Sequence, residues 1–99
     1  MKHAGQGCLD QIEALLQSLR AIPGPIEKKR GIFYYRGKAF LHFHEDPKGL
    51  FADIRSADGS GFERIDVTDT SAQIALPDQT IRRLRELGPG PKPQGPSAG

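Results

Sequence analysis

The sequence predicts an α+β fold, in which four antiparallel strands form a meander and an N-terminal and a C-terminal helix pack on one face. Three observations lead to this prediction. Apolar residues recur at helical spacing near the start of the chain, alternate with polar residues through its middle, and return to helical spacing before Gly88. With 99 residues, the chain has room for one modest core and therefore for one domain.

The first predicted element is a helix within residues 8–22, CLDQIEALLQSLRAI. Asp10 and Glu13 are spaced as a pair that caps a helix N-terminus. Pro23 and Gly24 end the helix, because the residue before a proline disfavours the helical conformation. The residues before position 8 are expected to be a flexible N-terminus. The apolar stripe of the helix consists of Leu9, Ile12, Leu15, Leu16 and Leu19.

Four strands are predicted after a loop that contains the basic run at 28–30. They span residues 32–35, 38–44, 50–55 and 62–67, where apolar and polar side chains alternate. The connections between them are short and rich in turn-forming residues. Gly37 supplies a positive φ in the first turn, and Pro47 with Gly49 shapes the second. These short connections favour antiparallel neighbours, which make a meander.

Apolar matching across these strands predicts their register and therefore their two faces. Leu41 is paired with Ile54, and Ala52 with both Phe43 and Ile65. In the first hairpin, Ile32 is placed opposite Leu41. The predicted core face carries Ile32, Tyr34, Leu41, Phe43, Leu50, Ala52, Ile54, Ile65 and Val67. The predicted outer face carries Phe33, Tyr35, Lys38, Phe40, His42, His44, Phe51, Asp53, Arg55 and Arg64.

The last helix has two interpretations because of Pro77. Proline suits the first turn of a helix, so the favoured interpretation is an extended segment through Leu76 and a helix from about Asp78 to Gly88. The alternative is a helix that begins near Thr70 and is kinked at Pro77. Residues 89–99 are rich in proline and glycine and predict a disordered tail, which leaves 8–88 as the folded domain.

Composition excludes several function classes. The formal net charge of +2, from 14 basic and 12 acidic residues, argues against strong non-specific binding of nucleic acid. The single cysteine, Cys8, excludes an internal disulfide and fits a reducing compartment, so a cytoplasmic location is expected. No apolar run is long enough for a membrane span, and no catalytic motif is recognisable. We therefore expect a protein that does not associate with membranes and is not an enzyme.

The predicted outer face indicates a binding function. Aromatic side chains at Phe33, Tyr35, Phe40 and Phe51 would be exposed there beside basic ones, and exposed apolar patches on small proteins are typically interaction sites. We therefore expect a small binding or self-association module whose ligand is a protein partner or a second copy of the chain. Stacking of unpaired bases on the same rings would instead make a weak nucleic-acid-binding domain.

A metal site is the other interpretation of the same face. His42 and His44 project from one side of their strand, and the predicted register places Asp53 across from His42. Two imidazoles and a carboxylate are a ligand set that zinc or another divalent transition metal accepts, with a coordination position left for water. The register also places Arg64 opposite Asp53, and a cross-strand ion pair between them needs no metal.

The chain also resembles a family of small bacterial proteins, the MmcQ/YjbR-like proteins. The resemblance covers the first half of the chain: a leading helix, Pro23-Gly24 after it, and an aromatic strand that leads into Gly37, Lys38 and Phe40. The resemblance implies a small α+β domain that is often suspected of binding DNA and has no established activity. It supplies no catalytic residues, and no cofactor follows from it.

Overall fold

The computed structural model describes residues 2–88, which form one sheet of six strands and three helices. In chain order the elements are β1 Lys2–His3, α1 Gln6–Gln11, α2 Glu13–Arg20, β2 Ile26–Lys29, β3 Ile32–Tyr35, β4 Lys38–Asp46, β5 Gly49–Arg55, β6 Phe62–Asp66 and α3 Thr70–Leu87. The predicted α+β class with an antiparallel sheet is confirmed, but the sheet has six strands where the sequence predicted four. The predicted disordered tail at 89–99 lies outside the described residues.

The sheet follows the order β2-β3-β4-β5-β6, and β1 pairs with β4 beyond the end of β3. Two registers predicted by apolar matching are confirmed: β4 pairs with β5 through Leu41 and Ile54, and β5 pairs with β6 through Ala52 and Ile65. Short turns limit the registers that are available, and apolar matching selects among them. The two additional strands each pair with one neighbour only, β1 with β4 and β2 with β3.

The first hairpin corrects the predicted faces of β3. The register shifts between Phe33, which pairs with Leu41, and Tyr34, which pairs with Ala39, so Phe40 has no partner and forms a β-bulge. The bulge places odd-numbered residues of β3 on the helix side. Phe33 is buried in the core, whereas Ile32 pairs with His42 instead of Leu41 and lies on the opposite face.

The N-terminal helix of the prediction is two shorter helices that meet at Ile12, whose φ of −112° and ψ of 24° leave the helical region. The predicted capping pair is wrong, because the residue before α1 is Gly5 and no side chain caps it. Asp10 and Glu13 instead accept hydrogen bonds from the Arg30 guanidinium, at 2.6 and 2.8 Å. Strand β1 and the start of α1 lie in the stretch before position 8, which the sequence analysis expects to be a flexible N-terminus.

The C-terminal helix follows the alternative interpretation. Helix α3 begins at Thr70, after Asp69 accepts a hydrogen bond from the Ala72 amide and so caps the first turn. Pro77 lies in the helix interior, where it removes one backbone donor. The buried side chains of Leu76 and Thr80 anchor the helix on both sides of this proline, and the Thr80 hydroxyl donates to the Leu76 carbonyl at 2.8 Å.

The core forms between the helices and one face of the sheet. Its members are buried apolar side chains that belong to a single cluster: Leu9, Ile12, Leu15, Leu16, Leu19, Ile22, Phe33, Phe40, Leu41, Phe43, Leu50, Ala52, Ile54, Val67 and Leu76. We call the opposite side of the sheet the outer face. Within residues 2–88, no helix has the length and apolar character that crossing a membrane requires.

Candidate metal centre

Three histidines meet on the outer face, and we call them the histidine cluster: His3, His42 and His44. His42 and His44 are two residues apart on β4 and so project from the same side. His3 joins them because β1 pairs with β4 and places His3 directly opposite His44. One ring nitrogen from each residue can be chosen so that all three lie within 4.8 Å of one another.

The rings of the cluster are in direct contact. His42 Nδ1 and His44 Nε2 are 3.0 Å apart, a hydrogen-bonding distance. The ring of His3 stacks on that of His44, with 4.7 Å between their centroids, and lies 5.6 Å from that of His42. His3 is exposed, whereas the two β4 histidines are half-buried. The cluster therefore has two fixed members and one member at the surface.

Asp53 lies beneath the cluster and holds His44 in place. Its carboxylate is only 6% exposed and accepts two parallel hydrogen bonds from the Arg64 guanidinium, both of 2.8 Å. The same carboxylate lies 3.2 Å from His44 Nε2. Hydrogen bonds from Arg64 hold the pKa of Asp53 below its usual range, so Asp53 is ionised at neutral pH. The negative charge of the ionised Asp53 favours the tautomer of His44 that carries its proton on Nε2.

Burial lowers the pKa of both β4 histidines, and for His42 the neighbouring His44 lowers it further. Both imidazoles are therefore neutral at pH 7, which is the form that ligates metals. When His44 Nε2 donates to Asp53, its Nδ1 carries the lone pair. That nitrogen is buried and has no hydrogen-bond partner among residues 2–88, although the Lys2 backbone lies beside the ring.

The structure brings together the three predicted metal ligands, His42, His44 and Asp53, but it gives Asp53 another role. Both carboxylate oxygens are occupied by a guanidinium that carries a full positive charge, and a metal ion there would lie beside that charge. The cross-strand ion pair with Arg64 anticipated from the sequence is present. Asp53 is thus placed to orient a histidine, a role that second-layer carboxylates have around metal sites.

The predicted binding surface is only partly assembled. Phe33 and Phe40 are buried in the core, at 2% and 1% exposure, and Tyr35 packs against the core on the helix side. These three placements correct the prediction, and the cause is the bulge in the first hairpin. Phe51 and Arg55 remain on the outer face with Asp53 and Arg64, and Lys38 is exposed at the start of β4.

Sequence reasoning missed two residues of this face. His3 is brought there by a two-residue strand, which is too short for any periodic pattern. Phe62 lies opposite Arg55, is 41% exposed, and meets the edge of the His42 ring at 4.9 Å between centroids. The parity of β6 could have identified Phe62, since it is two residues from Arg64 and shares its face.

Comparisons with known proteins add no relative. No family model matches the chain, and searches of curated proteins and of solved structures find no similar protein. The resemblance to the MmcQ/YjbR-like proteins therefore stays a prediction that depends on its short motifs. The function has to be argued from the geometry of the outer face.

Proposed function

We propose that this protein is a small binding module whose outer face binds a divalent transition metal ion through the histidine cluster. The observation that carries the proposal is the convergence of His3, His42 and His44, with ring nitrogens within 4.8 Å of one another. Three imidazoles are a set of nitrogen donors that suits Zn²⁺, Co²⁺, Ni²⁺ or Cu²⁺. These are all of the histidines in the chain.

The distances fit a tetrahedral site after a small adjustment. Nitrogens bound to zinc at about 2.0–2.1 Å in a tetrahedral site lie about 3.3 Å apart. The widest separation in the cluster is below 4.8 Å, so closing it requires a movement of at most about 1.5 Å. His3 is the member that can make this movement, because it is the exposed one of the three.

The surroundings support a metal more than a protein partner. Three of the aromatic side chains that favoured a protein partner, Phe33, Tyr35 and Phe40, are on the helix side. The outer face around the cluster instead contains the ionised Asp53, whose carboxylate lies 3.2 Å from His44 Nε2. Carboxylates beside a ligating histidine increase the basicity of the ligand and favour one tautomer. Three protein ligands leave at least one coordination position for water or a second ligand.

The experiment is a titration with Co²⁺, which reports a tetrahedral nitrogen site by visible absorption, followed by displacement with Zn²⁺. We expect one metal ion per chain, and we expect His3→Gln to weaken binding by about tenfold or more, because one of the three ligands is lost. Lys2→Gln is the matched control on the same strand and should bind as the wild type does. Backbone NMR spectra of each variant verify that β1 remains paired with β4.

The outcomes separate two ligand sets. If His3→Gln binds as tightly as the wild type while Asp53→Asn abolishes binding, the ligands are His42, His44 and Asp53, as the sequence predicted. If the wild type shows no cobalt absorption at 100 µM metal, on the order of a weak site's dissociation constant, the cluster is not a metal site. In that case the three histidines are a polar network that stabilises the sheet.

A further inference from the structure

A second region of the protein has the composition of a ligand pocket and does not involve the histidine cluster. A cavity of about 180 Å³ lies where the β3–β4 turn meets the end of α3. Its apolar lining comes from Tyr35, Phe40 and Leu87, and its remaining side chains include three cations, Arg36, Lys38 and Arg55. No aspartate or glutamate lines it.

The three cations form no ion pair within the described residues, which is also true of Lys28, Lys29, Lys48, Arg82 and Arg85. Arg20, Arg30, Arg64 and Arg83 each form an ion pair with a carboxylate. Within residues 2–88, no carboxylate oxygen lies within 4.0 Å of the charged groups of the three cations around the cavity. Unpaired cations that converge on one concave surface create a positive potential there, which attracts an anion.

The β3–β4 turn fixes the backbone of Arg36. Its φ of 56° is the only positive φ of a non-glycine residue in the described chain, and Gly37 follows it with a φ of 81°. Positive φ at both central residues is what a two-residue hairpin turn requires, and Tyr35 pairs with Lys38 across this one. The turn therefore holds a long cationic side chain beside the cavity. The guanidinium lies 5.4 Å from the centroid of the Tyr35 ring, at the edge of the cavity.

Arg55 differs from the other two cations because the fold already holds it. Its Nε donates to the Ala39 carbonyl at 2.7 Å, and one terminal nitrogen donates to the Gly59 carbonyl at 2.9 Å. These bonds fix the guanidinium without neutralising its charge. A fixed cation loses little conformational freedom when an anion binds, which favours binding.

We propose that this cavity binds a small organic anion that consists of a carboxylate attached to a single aromatic ring. The half-buried ring of Tyr35 offers an aromatic surface for such a ring, and the buried ring of Phe40 packs behind it at 5.8 Å and 56°. The carboxylate would lie among the three cations. The volume is below the roughly 300–1,000 Å³ of pockets that hold drug-sized ligands, which limits the occupant to about one ring.

The test uses benzoate, with neutral benzamide as the matched probe, and follows amide chemical shifts of the full chain. We expect saturable shifts of Tyr35, Phe40 and Leu87 with benzoate, with a dissociation constant on the order of 1 mM for so small a ligand. Benzamide should bind at least about tenfold more weakly, because it carries no negative charge to attract the three cations. Sodium chloride at the same ionic strength controls for salt effects.

Two variants preserve the fold while they remove charge. Arg36→Asn keeps a residue that tolerates the left-handed conformation, and Lys38→Gln changes an exposed side chain. Together they should weaken benzoate binding by about tenfold or more. Lys48→Gln, in the turn between β4 and β5 and therefore at the other end of the sheet from the cavity, should leave benzoate binding unchanged.

A structural role for the cations gives a different result. Basic residues near a helix C-terminus stabilise the helix dipole, and Leu87 is the last residue of α3. If the double variant melts at a lower temperature and the wild type shows no saturable benzoate shifts, the cations serve the helix end and the proposal is overturned. Equal binding of benzoate and benzamide, or equal benzoate affinity of the double variant and the wild type, would overturn it as well.

Discussion

The hydrogen bonds of Asp53 should be the most consequential polar interaction of the outer face, and Asp53→Asn tests this directly. The substitution preserves the shape of the side chain and removes its charge. Asp53 accepts two hydrogen bonds from Arg64, lies 3.2 Å from His44 Nε2, and its carboxylate is almost completely buried. Hydrogen bonds to a charged group contribute about 1.5–3 kcal/mol each, but asparagine keeps one acceptor oxygen. We therefore expect a loss of about 2 kcal/mol in the free energy of unfolding.

This loss can be measured as a change in melting temperature and in the urea midpoint. For a domain of this size, 1 kcal/mol corresponds to about 4–8 °C, so the melting temperature should fall by about 8–16 °C. Glu63→Gln is the matched control. Glu63 is next to Arg64 on β6, and its replacement removes an ion pair with Arg83 of α3. The Glu63 side chain is 57% exposed, and exposed pairs contribute less than about 1 kcal/mol.

The same variant connects stability to the proposed metal site. If Asp53 orients His44, its replacement should weaken Co²⁺ binding by about 10–100-fold without abolishing it, as is typical for second-layer carboxylates. If Asp53→Asn is no less stable than Glu63→Gln, the charge of Asp53 does not stabilise the fold as expected. If Asp53→Asn binds Co²⁺ as tightly as the wild type does, Asp53 has no influence on the His44 ring.

Three further predictions concern the fold. Burial lowers the pKa of the two β4 histidines below 6.5, so the unfolded chain binds more protons than the folded chain as the pH falls through that value. The free energy of unfolding, measured with urea in EDTA, should therefore decrease from pH 8 to pH 5 by up to about 1.4 kcal/mol per pH unit for each histidine. A flat profile would contradict the burial of these two side chains. Phe33→Ala should cost about 3–5 kcal/mol and Tyr34→Ala much less; the reverse order would place β3 in the opposite orientation. Gly49→Ala should lower the urea midpoint for two reasons: the φ of Gly49 is 147°, and a Cβ at this position would clash with the Thr68 hydroxyl. Unchanged stability would mean that this turn relaxes freely.

The central strands could be predicted because several local signals agree. Strands β4, β5 and β6 have alternating side chains, connections of a few residues and one apolar matching that satisfies all of them. Strand β3 shares these signals, yet its faces were assigned incorrectly. A single unpaired residue, Phe40, exchanges the faces to which the side chains of β3 are assigned. Strand β3 has aromatic side chains on both faces. Alternation therefore gives no preference between the two orientations of β3.

The remaining errors involve interactions that are distant in sequence or positions where two signals conflict. Pro77 is a common first-turn residue, but the Asp69 cap and the buried Leu76 extend the helix through it despite an intrinsic cost of about 3 kcal/mol for an interior proline. His3 reaches the cluster through β1, which the Ala4 amide secures by donating to the Phe43 carbonyl, 39 positions further along the chain. A two-residue strand contains no pattern from which that pairing could be inferred.

The bulge at Phe40 connects the two proposed sites physically. Without it, the rings of Phe33 and Tyr35 would lie on the outer face beside His42, and that face would be broad and aromatic, as protein-binding surfaces are. With it, Tyr35 and Phe40 line the cavity below Arg36 and Lys38, and the short Ile32 side chain is the neighbour of His42. Around the histidine cluster the outer face has imidazoles and the Asp53–Arg64 ion pair, with Phe51 and Phe62 as its aromatic side chains, and the imidazoles suit a metal ion. The ring of Tyr35 lies beside unpaired cations, which suit an aromatic anion. A one-residue irregularity thus determines the chemistry of both surfaces, because it decides which face receives the rings.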